Sequence, residues 1–138
     1  MGIYALAYAA TAVVFLAADA LWLTVMGARF YKPLMGDMVL EAFRPAPAVA
    51  FYLIYVAGIV VFAIAPALGS GRWTTALLNG ALLGLSAYAT YDLTNQATLK
   101  TWPLALTLVD MAWGTALTAT AASLGFLIAR ALHRLLPG

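Results

Sequence analysis

Four long apolar stretches, separated by shorter polar segments, dominate the pattern of hydrophobic and polar positions along the chain. They predict helices over residues 3–28, 46–68, 73–95 and 102–129. Each stretch has about the 20 residues that a membrane-spanning helix needs. Inside lipid such a segment must be helical, because every backbone amide needs a partner within the segment. We therefore expect an all-α polytopic membrane protein, a single domain built as an antiparallel bundle of four transmembrane helices.

The connections between the helices determine which helix ends lie together. Four spans place both termini on one face of the membrane, called here the terminal side. Residues 29–45 form the only long loop, on the opposite face, called the loop side. The basic residues are Arg72, Arg130 and Arg134 on the terminal side, and Arg29, Lys32, Arg44 and Lys100 on the loop side. Orientation follows the Lys and Arg count of short loops, so this near balance leaves the orientation open and also allows copies inserted both ways.

The composition of the chain limits the kinds of partner, metal and cofactor that we expect it to bind. The chain is 65% hydrophobic and 9% charged, whereas a soluble domain is about half apolar and about a quarter charged, so the lipid bilayer must cover much of its surface. It has no cysteine and a single histidine, His133, which argues against a thiolate or histidine metal site and against a haem site. We expect no metal, and no residue pattern indicates a cofactor. The net charge of +2 is small and the basic residues lie at helix ends, so we expect no nucleic-acid partner.

Three acidic residues are the most informative positions. Asp37 and Glu41 fall in the loop, where we expect solvated charges, but Asp19, Asp92 and Asp110 fall inside apolar stretches. A charge at the bilayer centre costs about 2.5 to 3.5 kcal/mol on insertion scales, so such residues usually face the bundle interior and mark functional sites. All three lie in the loop-side half of their helices. We therefore predict a polar cavity that opens toward the loop side.

Helical spacing suggests what surrounds these acids. Trp22 follows Asp19 by three residues and Trp113 follows Asp110 by three, so each pair shares a helix face. Gly80, Gly84, Tyr88 and Asp92 recur every four residues, and a small-x-x-x-small stripe such as Gly80–Gly84 favours close helix contact. The candidate ligand-binding residues are Trp22, Tyr88, Tyr91, Asn95 and Trp113, and the candidate catalytic residues are Asp19, Asp92 and Asp110.

Several stretches resemble one known family. The run from Tyr88 to Pro103, which contains TYDLTNQATLKTWP, is similar to the signature of a bacterial family catalogued as domain of unknown function 2177. The same likeness extends to Asp19-x-x-Trp22, Phe30-Tyr31, Phe51-Tyr52-x-x-Tyr55 and Asp110-x-x-Trp113-Gly114. The resemblance implies a four-helix protein of the bacterial cytoplasmic (inner) membrane, and it implies no activity. Asp-x-x-Trp occurs in both the first and the last helix, which is a faint internal repeat of a kind that transporters carry.

Three functions fit these observations. In the first, the cavity binds a small apolar or lipid-like ligand, and the aspartates supply acid–base groups for proton-transfer chemistry. In the second, the chain is a proton-coupled small transporter or cation pathway, which predicts a homodimer. In the third, it is an accessory or assembly subunit of a membrane complex, and the aspartates only fix the packing of the helices. The residues themselves leave open whether the protein is an enzyme.

Overall fold

The computed structural model describes residues 2–40 and 42–136, and every regular element in that part of the chain is helical. Glu41, one of the two acids expected in the loop, lies outside the described residues, whereas Asp37 is exposed. Four long helices follow one another: α1 (Ile3–Met26), α2 (Pro45–Ser70), α3 (Trp73–Thr98) and α4 (Leu104–Leu135). Helix α4 continues past the predicted end at residue 129, since the polar residues that follow the apolar stretch do not interrupt a helix.

The end of α1 reaches into residues 29–45, which the sequence pattern assigns to a loop. The helix widens into a π-helical turn (Gly27–Tyr31), continues as a short α-helical segment (Lys32–Met35) and ends in a 3-10 turn (Gly36–Met38). In the π-helical turn, the N–H of Lys32 bonds to the carbonyl of Gly27, five residues earlier. Helical backbone therefore extends well into the segment that sequence pattern assigns to the loop.

Helix α2 contains a second π-helical turn (Val60–Ile64) just before Pro66, and it continues beyond that proline to Ser70. Proline has no N–H, so the usual bond from residue 66 to the carbonyl of residue 62 cannot form. The Phe62 carbonyl instead accepts a hydrogen bond from the Asn79 amide of α3 at 3.2 Å. At the end of α2, Gly71 adopts a left-handed backbone conformation (φ 74°), which glycine tolerates without steric cost and which turns the chain into α3.

Helix α4 is the centre of the bundle, because its most extensive contacts are with α3 on one side and α1 on the other. Gly80 and Gly84 of α3 are buried against it, and a Cβ at Gly80 would come within 2.8 Å of the Ala122 Cβ. This is the close backbone approach that small residues permit between helices in lipid. The apolar core fills the terminal-side half, where Phe15, Ile64 and Phe126 are fully buried. The loop-side half is left for polar side chains.

The outer surface of the bundle is strongly apolar. Large side chains such as Val13, Leu21, Ile54 and Leu78 are more than two-thirds exposed (68%, 68%, 74% and 68%), which is unfavourable in water and favourable in lipid. Three of the four helices, α1, α2 and α4, are long and apolar enough to cross a membrane. Helix α3 is more polar in composition and has 26 residues, a length of about 39 Å at about 1.5 Å per residue. The predicted architecture, a helical bundle in the membrane, is confirmed.

Candidate functional site

One cavity of about 180 Å³ lies in the loop-side half of the bundle and is bordered by all three intramembrane aspartates. Helices α1, α3 and α4 form its walls, and the helical extension of α1 contributes Tyr31 and Met35. Its lining consists of Asp19, Trp22, Leu23, Tyr31, Met35, Tyr88, Tyr91, Asp92, Trp102, Leu106, Asp110 and Trp113. No lysine, arginine or histidine is among these residues, so the cavity has acidic groups without a basic partner in its wall.

Asp19 is held by donors from two other helices. Its Oδ2 accepts a hydrogen bond from the Tyr52 hydroxyl of α2 at 2.5 Å, and its Oδ1 accepts one from the Trp113 indole N–H of α4 at 3.2 Å. The residue is 8% exposed. Both oxygens of this buried carboxyl therefore have a partner, which links α1, α2 and α4 at one point.

Asp110 is reached through a relay from α1. The Trp22 indole N–H donates to the Tyr31 hydroxyl at 2.9 Å, and that hydroxyl donates to Asp110 Oδ1 at 2.8 Å. Tyr31 closes the π-helical turn, so the local widening of the helix determines where its hydroxyl lies. The relay connects the beginning of the long loop to the interior of the bundle.

The two Asp-x-x-Trp pairs interlock across the interface of α1 and α4. The indole rings of Trp22 and Trp113 stack with centroids 4.2 Å apart and planes 5° apart. Three residues correspond to about 4.5 Å along a helix, and the helices are antiparallel, so each tryptophan lies level with the aspartate of the other helix. Accordingly Trp113 bonds directly to Asp19, and Trp22 reaches Asp110 through Tyr31. The two Asp-x-x-Trp pairs are therefore related to each other by approximate two-fold symmetry.

Asp92 differs from the other two aspartates because it has no donor. It is fully buried (0% exposed), and within residues 2–40 and 42–136 no hydrogen-bond partner reaches either of its carboxyl oxygens. The carboxyl of Asp110 borders the same cavity, but carboxylates only accept hydrogen bonds, so neither group can donate to the other unless one of them carries a proton. Two adjacent carboxyl groups in a low-dielectric site tend to share one proton.

Most of the side chains predicted for the site border the cavity. Trp22, Trp113, Tyr88 and Tyr91 line it together with the three aspartates. Asn95 does not belong to the lining; it is half-buried, and its backbone carbonyl accepts a hydrogen bond from the terminal N–H of α3 at Leu99. The structure brings the other seven predicted residues to one place, and their chemical roles stay predictions.

Three aromatic residues that line the cavity or bond to its aspartates were missed by sequence reasoning. Tyr31 and Tyr52 were noticed only as parts of aromatic pairs that carried the family likeness, and no helical spacing links either one to an aspartate. Trp102 lies near the end of the run that carries the family likeness; it is 6% exposed, and its indole N–H donates to the Thr107 hydroxyl at 2.9 Å. That hydroxyl lies 2.7 Å from the Gln96 side-chain oxygen, so this second polar network joins α3 to α4 beside the cavity.

The part of the chain that the structure describes contains no group of three His, Cys, Asp or Glu side chains arranged to hold a metal ion. In a comparison with known protein families, residues 4–127 match the family described as "Predicted membrane protein (DUF2177)". No curated protein and no solved structure matches the chain.

Proposed function

The chain belongs to DUF2177, a family of predicted membrane proteins, and we propose that it binds a small lipid-like ligand by a polar group that enters the acidic cavity. In this proposal Asp92 and Asp110 contact the polar group and exchange a proton with it. Asp19, whose two oxygens already have donors, holds the helices in place. The protein is an integral membrane protein, so a ligand that dissolves in the bilayer has direct access to it.

The unpartnered carboxyl of Asp92 is the observation that carries this proposal. A buried polar group without a hydrogen bond costs roughly 1 to 3 kcal/mol, and more if it is charged. A purely structural aspartate would be expected to resemble Asp19, with a donor for each oxygen. A ligand that donates hydrogen bonds to Asp92 would remove this cost at the moment of binding, so the cost of the empty site favours the bound state.

A proton shared by Asp92 and Asp110 is part of this proposal, and it would give the site a role beyond simple binding. A carboxyl pair with one proton contains one acid and one base side by side, so it can donate a proton to a bound group or accept one from it. The cavity measures about 180 Å³, which is small beside the roughly 300 to 1,000 Å³ of typical ligand pockets. It therefore fits a head group, and the apolar part of a lipid-like ligand must lie outside it.

Binding of three twelve-carbon probes to the purified protein tests the proposal. Tritiated dodecylamine and dodecanol can donate hydrogen bonds to the aspartates, whereas dodecanoate adds a further negative charge. We expect saturable binding of at least one of the two donors and none of dodecanoate. The Asp92→Asn variant should bind about tenfold more weakly or worse, because hydrogen bonds to charged groups contribute about 1.5 to 3 kcal/mol.

The matched control is Asp37→Asn, which removes an exposed acid of the loop segment and should bind like the unaltered protein. Failure of both donor probes to bind, or equal binding by the Asp92→Asn variant and the unaltered protein, would contradict the proposal.

Proton-coupled transport is the second candidate, and the interlocked Asp-x-x-Trp pairs are the observation that favours it. Antiparallel elements with matching side chains around a central site are the arrangement by which many transporters alternate access between two faces. In proteoliposomes this function predicts dodecylamine-dependent proton movement that disappears in Asp110→Asn. Saturable binding without any such movement would leave ligand binding alone.

A further inference from the structure

A second void adjoins the acidic cavity on the side of the bundle that faces lipid. It measures about 430 Å³ and is lined by Phe51, Ala87, Tyr88, Tyr91 and Asp110. Tyr88, Tyr91 and Asp110 also line the acidic cavity, so the two spaces meet at these three residues. The second void is called here the side cleft. Its lining is apolar apart from the three shared side chains, so it suits a hydrocarbon chain.

The path of α2 explains why the side cleft is open. Contacts between α2 and α3 are concentrated in the terminal-side part of α2, from Val60 to Ser70, whereas Pro45–Ile59 contacts α1. The loop-side half of α2 thus leaves a gap in front of α3. Phe51 on α2 is 45% exposed at this gap, and Ala87 on α3 is too small to fill it. The gap lies at the depth of the lipid chains, within the loop-side half of the bundle.

We infer that the side cleft is an entrance from the bilayer for a long-chain amine, whose chain lies in the cleft and whose ammonium group lies between Asp92 and Asp110. This inference rests on the proposed function and adds the class of ligand and its route. The continuity of the two spaces argues for one molecule that occupies both. A polar group alone would fill only the acidic cavity, and a pure hydrocarbon would leave the aspartates without donors.

The charge of the acidic cavity favours an amine over other polar head groups. Three carboxyl groups and no basic side chain border the cavity, and the groups that donate to Asp19 and Asp110 are neutral hydroxyl and indole groups. An ammonium group brings three donors and one positive charge, so it can satisfy both oxygens of Asp92 and balance a carboxylate that is otherwise costly to bury. A hydroxyl brings a single donor and no charge, and an anionic head group would be repelled.

The protonation of Asp92 and Asp110 determines how many protons are released when the amine binds. If Asp92 and Asp110 share one proton in the empty site, the pair carries one negative charge, which the incoming ammonium balances while the pair keeps its proton. No bond between heavy atoms forms or breaks. Binding of one amine, at a pH where the free amine is protonated, should therefore release almost no proton, which titration calorimetry in two buffers of different ionisation enthalpy measures directly; release of a full proton would contradict this account.

The test compares dodecylamine, dodecanol and butylamine on the unaltered protein and on variants of the cleft. Ala87→Trp fills the cleft and leaves every carboxyl group in the sequence, and the matched control Leu78→Trp adds the same side chain at a lipid-exposed position of the same helix. We expect dodecylamine to bind about tenfold more tightly than dodecanol. Ala87→Trp should weaken dodecylamine binding about tenfold and leave butylamine binding within about twofold, since a buried methylene contributes about fourfold in affinity. Leu78→Trp should change neither.

The possible results distinguish failure of this inference from failure of the proposed function on which it rests. If dodecanol binds as tightly as dodecylamine, or if Ala87→Trp binds both amines normally, the inference is wrong, while binding that depends on Asp92 preserves the proposed function. If none of these probes binds, both fail. If Ala87→Trp disturbs the fold and abolishes binding of both amines, the smaller change Ala87→Leu provides the test. It should weaken dodecylamine binding about threefold and leave butylamine binding unchanged. Equal effects on the binding of the two amines would contradict the proposed entrance through the side cleft.

Discussion

A methyl group at Gly114 should destabilise the protein even though alanine is the better helix former. Gly114 is buried in α4, and a Cβ built there would overlap the ring of Tyr88 from α3. The overlap involves the ring carbon nearest the backbone, so the ring cannot avoid it by a small rotation of its far end. Replacing glycine by alanine inside a helix normally gains about 0.5 to 1 kcal/mol, whereas overpacking costs about 1 to 3 kcal/mol. We therefore expect Gly114→Ala to lose about 1 to 2 kcal/mol.

Gly58 provides the matched control, because a Cβ at that helical position of α2 would meet no atom within 4 Å. Gly58→Ala should be neutral or stabilising by up to about 1 kcal/mol, so the two substitutions should change stability in opposite directions. Equilibrium unfolding in dodecyl maltoside micelles titrated with sodium dodecyl sulfate, followed by far-UV circular dichroism, measures both free energies.

A double-mutant cycle identifies the cause of the loss. In a Tyr88→Ala background the ring is gone, so Gly114→Ala should become neutral or stabilising, and the coupling between the two sites should be about 1 kcal/mol or more. Because Tyr88 lines both the acidic cavity and the side cleft, Gly114→Ala should also weaken dodecylamine binding. The packing argument is refuted if Gly114→Ala stabilises the protein as Gly58→Ala does, or if its cost is the same with and without the tyrosine ring.

Two further substitutions test the polar contacts between helices by the same unfolding assay. Tyr52→Phe removes one of the two donors to Asp19. It should lower the free energy of unfolding by about 1 to 2 kcal/mol, since interhelical hydrogen bonds in membranes reach about 1.7 kcal/mol. An unchanged free energy of unfolding would show that this hydrogen bond does not stabilise the packing of α2. Asn79→Leu removes the donor to the Phe62 carbonyl and should cost about 0.6 kcal/mol. That cost should shrink in a Pro66→Ala background, where residue 66 regains an N–H, and an undiminished cost would contradict this account.

The helices themselves were predictable because apolar length and the need to satisfy backbone amides act locally. The position of the acids inside the bundle follows from a second local quantity, the cost of a carboxylate in lipid. Spacing also placed Trp22 beside Asp19 and Trp113 beside Asp110 on their own helices. The actual bonds cross between helices, and they depend on the pairing of α1 with α4, which no property of either segment alone determines.

Tyr31 and Asn95 show where helical spacing fails. The π-helical turn at Gly27–Tyr31 shifts the register of everything that follows it, so counting by 3.6 residues from Trp22 does not lead to Tyr31. Asn95 was expected among the ligand-binding residues, but it does not line the cavity. The side cleft was not predicted at all, because it depends on the divergence of α2 from α3. The hydrophobic periodicity of a single helix does not indicate how far that helix lies from its neighbour.

The π-helical turn has a consequence for how much the chain can vary in length. Connections between helices usually tolerate insertions and deletions, and residues 27–31 would be read as the start of such a connection. Loss of one residue there would restore ordinary α-helical winding and swing the following side chains by about 100°, which would carry the Tyr31 hydroxyl away from Asp110. The stretch therefore acts as a spacer of set length, and freedom to lengthen or shorten the connection begins only beyond Met38.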